Sequence, residues 1–329
     1  MTKFGIITWV DPDEPVQNMQ GFANQVENLG FNSLWIWDTP LYTKDAYIAL
    51  TLAALGTKKI LIGPGVSNPV NRDIPTIVNT ISTLDDLSGG RAILGFANGG
   101  HGAVKALGKI PPSFAQFKEA LIRIQTLLQG QEVVLDENTS YAVNSVHRSI
   151  QIYTASAGPK MLNLSGEIAD GVLLAGSNDL TVVSNNMELF FNGAVTTGRS
   201  PDDLKVNIQV TVSYNDNPKT AINDLKKLVT YLVLRRAAST FPSDYIPAIQ
   251  KIQKAFNHKT SPSGFSNEVL NYVPDSLVKH MAIAGSEEEC IDHLKKIISL
   301  KPDEITFRII STDRLYRLKM VAKLISKLR

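Results

Sequence analysis

Short apolar runs alternate along the chain with longer stretches in which apolar residues recur every three or four positions. The runs read "KFGIITW", "SLWIWD", "ILIGPGV", "AILGFA", "QIYTASA", "GVLLAG", "KVNIQVTV" and "EITFRII". Most are almost continuously apolar, the pattern of strands buried on both faces. The periodic stretches predict helices over about residues 15–29, 45–56, 74–88, 113–129, 159–169 and 180–197. A strand-helix unit repeated eight times predicts an α/β fold, a (β/α)8 TIM barrel. An open doubly wound sheet is the alternative. It usually opens with a glycine-rich phosphate fingerprint, and "WVDPDEP" after the first strand contains no glycine.

Two insertions interrupt the alternation. Residues 130–149 predict a β-hairpin that turns at Asp136–Thr139. Residues 215–285 predict a mostly helical insertion after strand seven, with "HKTSPSGFS" as a mobile loop. No further boundary shows, so residues 1–329 are expected to form a single domain. At the C-terminus, helical spacing puts Leu315, Leu318, Val321, Leu324, Ile325 and Leu328 on one face, with basic residues opposite. The helices in "AYIALTLAALG" and "IPTIVNTISTLDDLSGG" are apolar over more of their circumference than a one-sided surface helix needs. That excess predicts a homodimer.

Composition narrows the function classes. Hydrophobic residues make up 43% of the 329 and charged residues 19%, enough for a large core. The net charge is +2, with no basic stripe interleaved with aromatics, which argues against nucleic acid. The N-terminus has no signal-peptide pattern, and no apolar run reaches the roughly 18 residues of a membrane span. No membrane partner is expected, and a cytoplasmic location is. The one cysteine, Cys290, excludes a disulfide framework, and the five scattered histidines give no metal-ligand spacing, so no metal is expected.

In a barrel, site residues come from the C-terminal ends of strands. There stand Thr8 and Trp9, then Asp38-Thr39, Gly65-Val66-Ser67-Asn68 and Asn98-Gly99-Gly100-His101. Ser156-Ala157-Gly158-Pro159-Lys160 and Gly176-Ser177-Asn178 follow, with Tyr214-Asn215 and Ser311-Thr312-Asp313-Arg314 last. This inventory is rich in glycine and small polar groups and poor in ionisable ones. It holds no Ser-His-Asp arrangement and no paired glutamates. It suits a large flat ligand that brings its own reactivity, such as a flavin. In "ASAGPKML", Pro159 fits a first helical turn, so the amides of Ala157 and Gly158 meet a positive helix end beside Lys160. This is either a phosphate anchor or an ordinary strand-to-helix turn.

Three segments carry a resemblance: "GFANQVENLGFNSLWIWD", "KKILIGPGVSNPVNRDIPTIVNTISTLDDLSGGRAILGFANGG" and "IQIYTASAGPKMLNLSGEIADGVLLAGSN". The block Thr83, Leu84, Asp85, Leu87, Ser88, Gly90, Arg91, Leu94 and Gly95 is the most specific part. Together they resemble the bacterial luciferase-like superfamily, most closely the coenzyme F420-dependent methylenetetrahydromethanopterin reductases. The resemblance covers about residues 3–215. It implies a non-prolyl cis peptide at Gly65–Val66, bearing on the central ring of the deazaflavin from behind. It implies Asp38 beside the outer ring, Asn68 and Asn98 along the edge, and Ala157 with Gly158 at the phosphate. Ser156, Lys160 and Gly176 are expected to border the same ligand. Asp38 as a loop cap and Asn98 as a turn former are the plain alternatives.

The chain departs from that pattern where a proton must be handled. Ile7 stands where related reductases often carry a glutamate, Thr39 where many carry a histidine, and Gly100 where an acid is common. Asp38 and His101 are the remaining candidates for acid catalysis, Asp38 first, because it follows strand two directly and can point into the barrel mouth. The expected function is hydride transfer between reduced coenzyme F420 and a methylene-tetrahydromethanopterin-like C1 carrier, a reduction at CH–NH groups. The alternatives are a monooxygenase using FMN, and a diverged homologue with little or no activity.

Overall fold

The computed structural model describes residues 1–99, 104, 107–234, 238, 241–255, 267–309 and 313–328. The chain opens with β1 (Lys3–Thr8), α1 (Asn18–Asn28), β2 (Ser33–Ile36), α2 (Ala46–Gly56), β3 (Leu61–Pro64), α3 (Ile74–Ser88) and β4 (Leu94–Phe96). After α4 (Phe114–Leu128), the predicted hairpin forms as β5 (Val133–Asp136) and β6 (Thr139–Tyr141), with Asp136 paired to Thr139. The barrel resumes with β7 (Ile152–Thr154), α5 (Pro159–Ile168), β8 (Gly171–Ala175), α6 (Leu180–Thr196) and β9 (Lys205–Val210).

The run "KVNIQVTV" does not continue as one strand. It breaks at Thr211, and β10 (Val212–Tyr214) leaves the barrel. The insertion holds α7 (Pro218–Leu234), α8 (Ile246–Ala255), α9 (Asn267–Asn271) and α10 (Asp275–Met281). It returns through β11 (Ile283–Gly285), which pairs in parallel with β10. The expected mobile loop "HKTSPSGFS" lies outside the described residues. The chain ends with α11 (Glu287–Ser299), β12 (Glu304–Arg308) and α12 (Arg314–Ser326). On α12, Leu318, Val321, Leu324 and Ile325 are buried, while Leu315 is exposed at the helix start.

Eight parallel strands run in the order β3-β2-β1-β12-β9-β8-β7-β4. Bridges Ile62–Ala92 and Ser67–Phe96 join β3 to β4 and close the ring. Glycines permit that seam. A Cβ on Gly63 would lie 1.8 Å from the Ile93 carbonyl oxygen, and one on Gly95 would lie 2.2 Å from that of Pro64.

Strand alternation divides the core in two. Phe4, Ile6, Leu34, Ile36, Ile62, Leu94, Phe96, Val172, Leu174, Val206, Ile208, Ile305 and Phe307 face outward onto the helices. Ile7, Trp35, Trp37, Ile93, Tyr153 and Leu173 face the lumen, where residues of α7, α8 and α10 continue the same cluster.

The most specific sequence block lies at the barrel floor, the N-terminal end of the strands. Arg91 Nε donates to Ser88 O at 2.8 Å, Nη1 to Ile60 O at 2.9 Å, and Nη2 to Ala54 O and Thr57 O at 3.1 Å each. One guanidinium thereby satisfies three carbonyls at the ends of α2 and α3 and a fourth, that of Ile60, just before β3. Asp85 accepts from the Ala92 amide at 3.1 Å and pairs with Arg148 at 3.0 Å. Inside the floor, the half-buried Glu304 accepts from Ser33 Oγ at 2.7 Å and from Asn207 Nδ2 at 2.6 Å. Burial pushes its carboxyl up to about 7, against the opposing effects of Ser33 and Lys3.

Among the described residues, no helix is long and apolar enough to cross a membrane, and no three His, Cys, Asp or Glu side chains gather as a metal site requires.

Candidate functional site

The mouth is built at the opposite end. Trp37 and Asp38 extend β2, and Trp37 N still bonds to Thr8 O at 2.9 Å. Alternation sends Trp37 into the lumen and turns Asp38 aside, toward the end of β3. This is why Asp38 does not point into the mouth as its position alone predicts. Its side chain is 2% exposed and only accepts hydrogen bonds: from Ser67 Oγ at 2.8 Å, Arg72 Nε at 3.0 Å and Arg72 Nη2 at 3.3 Å. Arg72 Nη2 also reaches Asp45 at 2.5 Å, and Asp45 caps α2 through the amides of Tyr47 and Ile48. The Tyr47 hydroxyl lies 3.0 Å from Ser67 Oγ, and Arg72 stands over the Tyr47 ring at 4.8 Å. Burial works against the Arg72 charge, but Asp38 and Asp45 hold the guanidinium above its ordinary range.

The edge of the mouth follows β3. The Gly65–Val66 peptide is cis. A Cβ on Gly65 would lie 2.8 Å from Ile7 Cδ1 and 3.0 Å from Trp35 Cβ, so only glycine leaves the lumen packing intact. Asn68 Oδ1 is spent on the amides of Val70 and Asn71, at 3.1 and 3.0 Å. A ligand contact from Asn68 therefore falls to its amide nitrogen. Asn98 is half-buried on the neighbouring loop. Gly99, beside it, has φ 87°, and its missing Cβ would lie 3.4 Å from Asn68 Oδ1. The structure thus brings the β3 and β4 loops together. Gly100 and His101 lie outside the described residues, as do Ser311 and Thr312.

Beyond β7, Gly158 caps α5 with φ 85° and ψ 152°, and no side chain bonds to the helix start. The positive φ is what calls for glycine here, since a Cβ would meet nothing within 4 Å. Ala157, Gly158, Pro159 and Lys160 are exposed. An uncapped helix start with a lysine beside it offers amides and positive charge to an anion. Ser156 is placed differently. Its hydroxyl is buried and turns back to Ser165 Oγ at 2.7 Å, away from the exposed helix start. Gly176, with φ 108°, ends β8 on the adjoining loop. Ala157, Gly158 and Lys160 therefore stand together, while Asp38 belongs to a separate network on β2 and β3.

Sequence reasoning missed three contributors. Arg72 stands four residues past Asn68, and its partners only become neighbours in the fold. Arg308 follows from strand parity: Glu304, Thr306 and Arg308 share one face of β12. Arg308 is buried, donates to Thr211 Oγ1 and Gln209 Oε1 at 3.1 Å each, and lies 5.8 Å from the Trp37 ring centroid. Tyr231, on α7, enters from the insertion and stacks on Trp37 at 5.8 Å.

A family profile described as luciferase-like monooxygenase matches residues 1–304. The 5,10-methylenetetrahydromethanopterin reductase of Methanolobus tindarius is 27% identical over 301 residues, covering 89% of this chain and 90% of that one. The protein of the same name from Methanopyrus kandleri is 30% identical, covering 87% of each chain. The solved structure of the coenzyme F420 dependent tetrahydromethanopterin reductase from Methanopyrus kandleri aligns with a TM-score of 0.81 at 24% identity. That alignment covers 100% of this chain and 99% of the other, and it carries the barrel fold with it. With nearly its whole length matched, the chain belongs to the luciferase-like monooxygenase family.

Proposed function

We propose that the protein is a coenzyme F420-dependent reductase. It passes a hydride between the reduced deazaflavin and a methylene-tetrahydromethanopterin-like one-carbon carrier, acting at a CH–NH group. The observation that carries this is the pairing of an uncapped helix start, Gly158–Pro159 with Lys160, with a mouth of glycine edges and aromatics. Such a site binds and orients, and leaves the hard step to its ligand. The names of the relatives at 27–30% identity point the same way.

Bound there, reduced coenzyme F420 supplies the hydride with both its electrons. The chain's own residues do the rest. Ala157, Gly158 and Lys160 hold the anionic tail, with the Ser156 backbone and Gly176 beside it. Gly65 and Val66 would border the ring, and Asn68 Nδ2 and Asn98 would offer it polar contacts. Asp38, clamped by Arg72 and Ser67, holds the ends of β2 and β3 in place from behind the mouth. The proton that completes the reduction then comes from His101 or from water. The protein works as a cytoplasmic homodimer, paired through α2 and α3, where Ile48, Leu55 and Leu87 stand exposed.

Titration with coenzyme F420 and with FMN under identical conditions tests the reading. Preferential binding of coenzyme F420, and its oxidation by the methylene carrier, is the expected result. Preference for FMN would replace it with an FMN-dependent monooxygenase. Tight binding of coenzyme F420 without turnover on any one-carbon carrier would indicate a diverged homologue. Light scattering at micromolar concentration tests the dimer, which a monomer mass would remove.

A further inference from the structure

We infer that Tyr231, carried in by the insertion, is a specificity-determining residue that selects a carrier with a flat heteroaromatic ring, the pyrimidinone of a reduced pterin, over non-aromatic substrates such as a sugar phosphate. This rests on the reductase reading above. Tyr231 lies on α7, in a segment that barrel closure does not require. Its ring stacks on Trp37 with centroids 5.8 Å apart and planes 25° apart. It lies 5.4 Å from Trp9 and meets Tyr42 edge-on at 6.4 Å.

Trp9 and Trp37 directly follow β1 and β2, so this group stands at the mouth, where barrel chemistry is placed. The barrel fixes two of its walls. Trp9 Nε1 donates to Asp11 Oδ1 at 2.9 Å, and Trp37 rests against the Arg308 guanidinium. Trp37 is as buried as Tyr153 below it, but Trp9, Tyr42 and Tyr231, which surround it, are half-buried and open toward the mouth. The wall also stands three strands round the barrel from the start of α5, at β2 rather than β7. It is one strand from Gly65–Val66 at the end of β3, the proposed ring edge, so a ligand on this wall lies beside the ring and away from the anion anchor. Stacked aromatics backed by a cation favour a flat ring and give a sugar little beyond contact area.

The test compares wild type, Tyr231→Leu and Tyr231→Phe. Coenzyme F420 affinity is read by fluorescence, KM and kcat with the methylene form of tetrahydromethanopterin, and folding by melting temperature. Tyr231→Leu is expected to raise KM for the carrier tenfold or more while coenzyme F420 affinity changes less than twofold. Tyr231→Phe is expected to restore KM. Tyr231→Met repeats the comparison if the leucine variant does not fold. An unchanged KM in the aliphatic variant overturns the inference. So does a loss of coenzyme F420 affinity there, which would assign the wall to the cofactor, and so does wild-type turnover of glucose 6-phosphate in place of the carrier. Wild type that binds no coenzyme F420 removes the reductase reading, and the inference falls with it.

Discussion

The floor and the mouth of this barrel both concentrate polar groups, and they use them in opposite ways. At the floor, the Arg91 guanidinium meets the backbone carbonyls around it and Glu304 is held by Ser33 and Asn207. The partners of both side chains are supplied by the chain itself. At the mouth, α5 starts with exposed, uncapped amides beside Lys160. Groups satisfied from within hold the fold, and groups left open to solvent bind. Arg72 is the intermediate case, a mouth residue wired like a floor residue.

The largest expected effect breaks the floor. Arg91→Ala leaves four carbonyls without their donor and is expected to cost about 4 kcal/mol of stability. The urea midpoint should fall while coenzyme F420 affinity of the folded fraction holds. A loss of affinity at unchanged stability would erase the contrast between the two ends.

Glu304 comes next. The folded chain keeps its proton up to about pH 7, whereas the unfolded chain gives it up in the ordinary carboxyl range. The folded state therefore binds more protons in between, and stability falls as pH rises from 5 to 8. The fall is on the order of 3 kcal/mol. Glu304→Gln should abolish it, measured as urea midpoints across that range. An equal slope in the variant would show that another group is responsible.

Arg72→Ala is expected to cost about 2 kcal/mol, because it strands a buried carboxylate. Combined with Asp38→Asn, the loss should be clearly less than additive. Additive losses would mean that the two side chains act separately. The smallest effect sharpens the mouth. Lys160→Ala should weaken coenzyme F420 binding a few-fold, more at low salt, with no change in melting temperature. A salt-independent loss would argue against an anion site.

The eight barrel strands and the helices from α1 to α6 were legible because continuous apolar runs and helical periods are local signals. The break at Thr211 was not, since "KVNIQVTV" carries the same pattern through barrel and insertion. The cis peptide at Gly65 was legible only through the family resemblance, since Gly-Pro-Gly alone also fits an all-trans turn, and the helix start at Gly158 was legible from Pro159 in a first turn. Arg72, Arg308 and Tyr231 were not, because their meaning comes from partners far along the chain. Asp38 shows the subtler failure. Its place at a strand end was right, but a shift of one residue in parity decides which side of the barrel wall a carboxylate faces.

The short pairing of β10 with β11 has a consequence for how such proteins diverge. It makes the two ends of the insertion hydrogen-bonded neighbours, Val212 beside Ile283 and Tyr214 beside Gly285. A chain excursion that departs and returns through adjacent strands is anchored at its root whatever it contains. Its helices can be lengthened, exchanged or grafted from another barrel without resetting any register in the ring. Inheritance can therefore alter the two halves of such a site at different speeds, one slow and tied to the scaffold, the other fast and free to sample new chemistry.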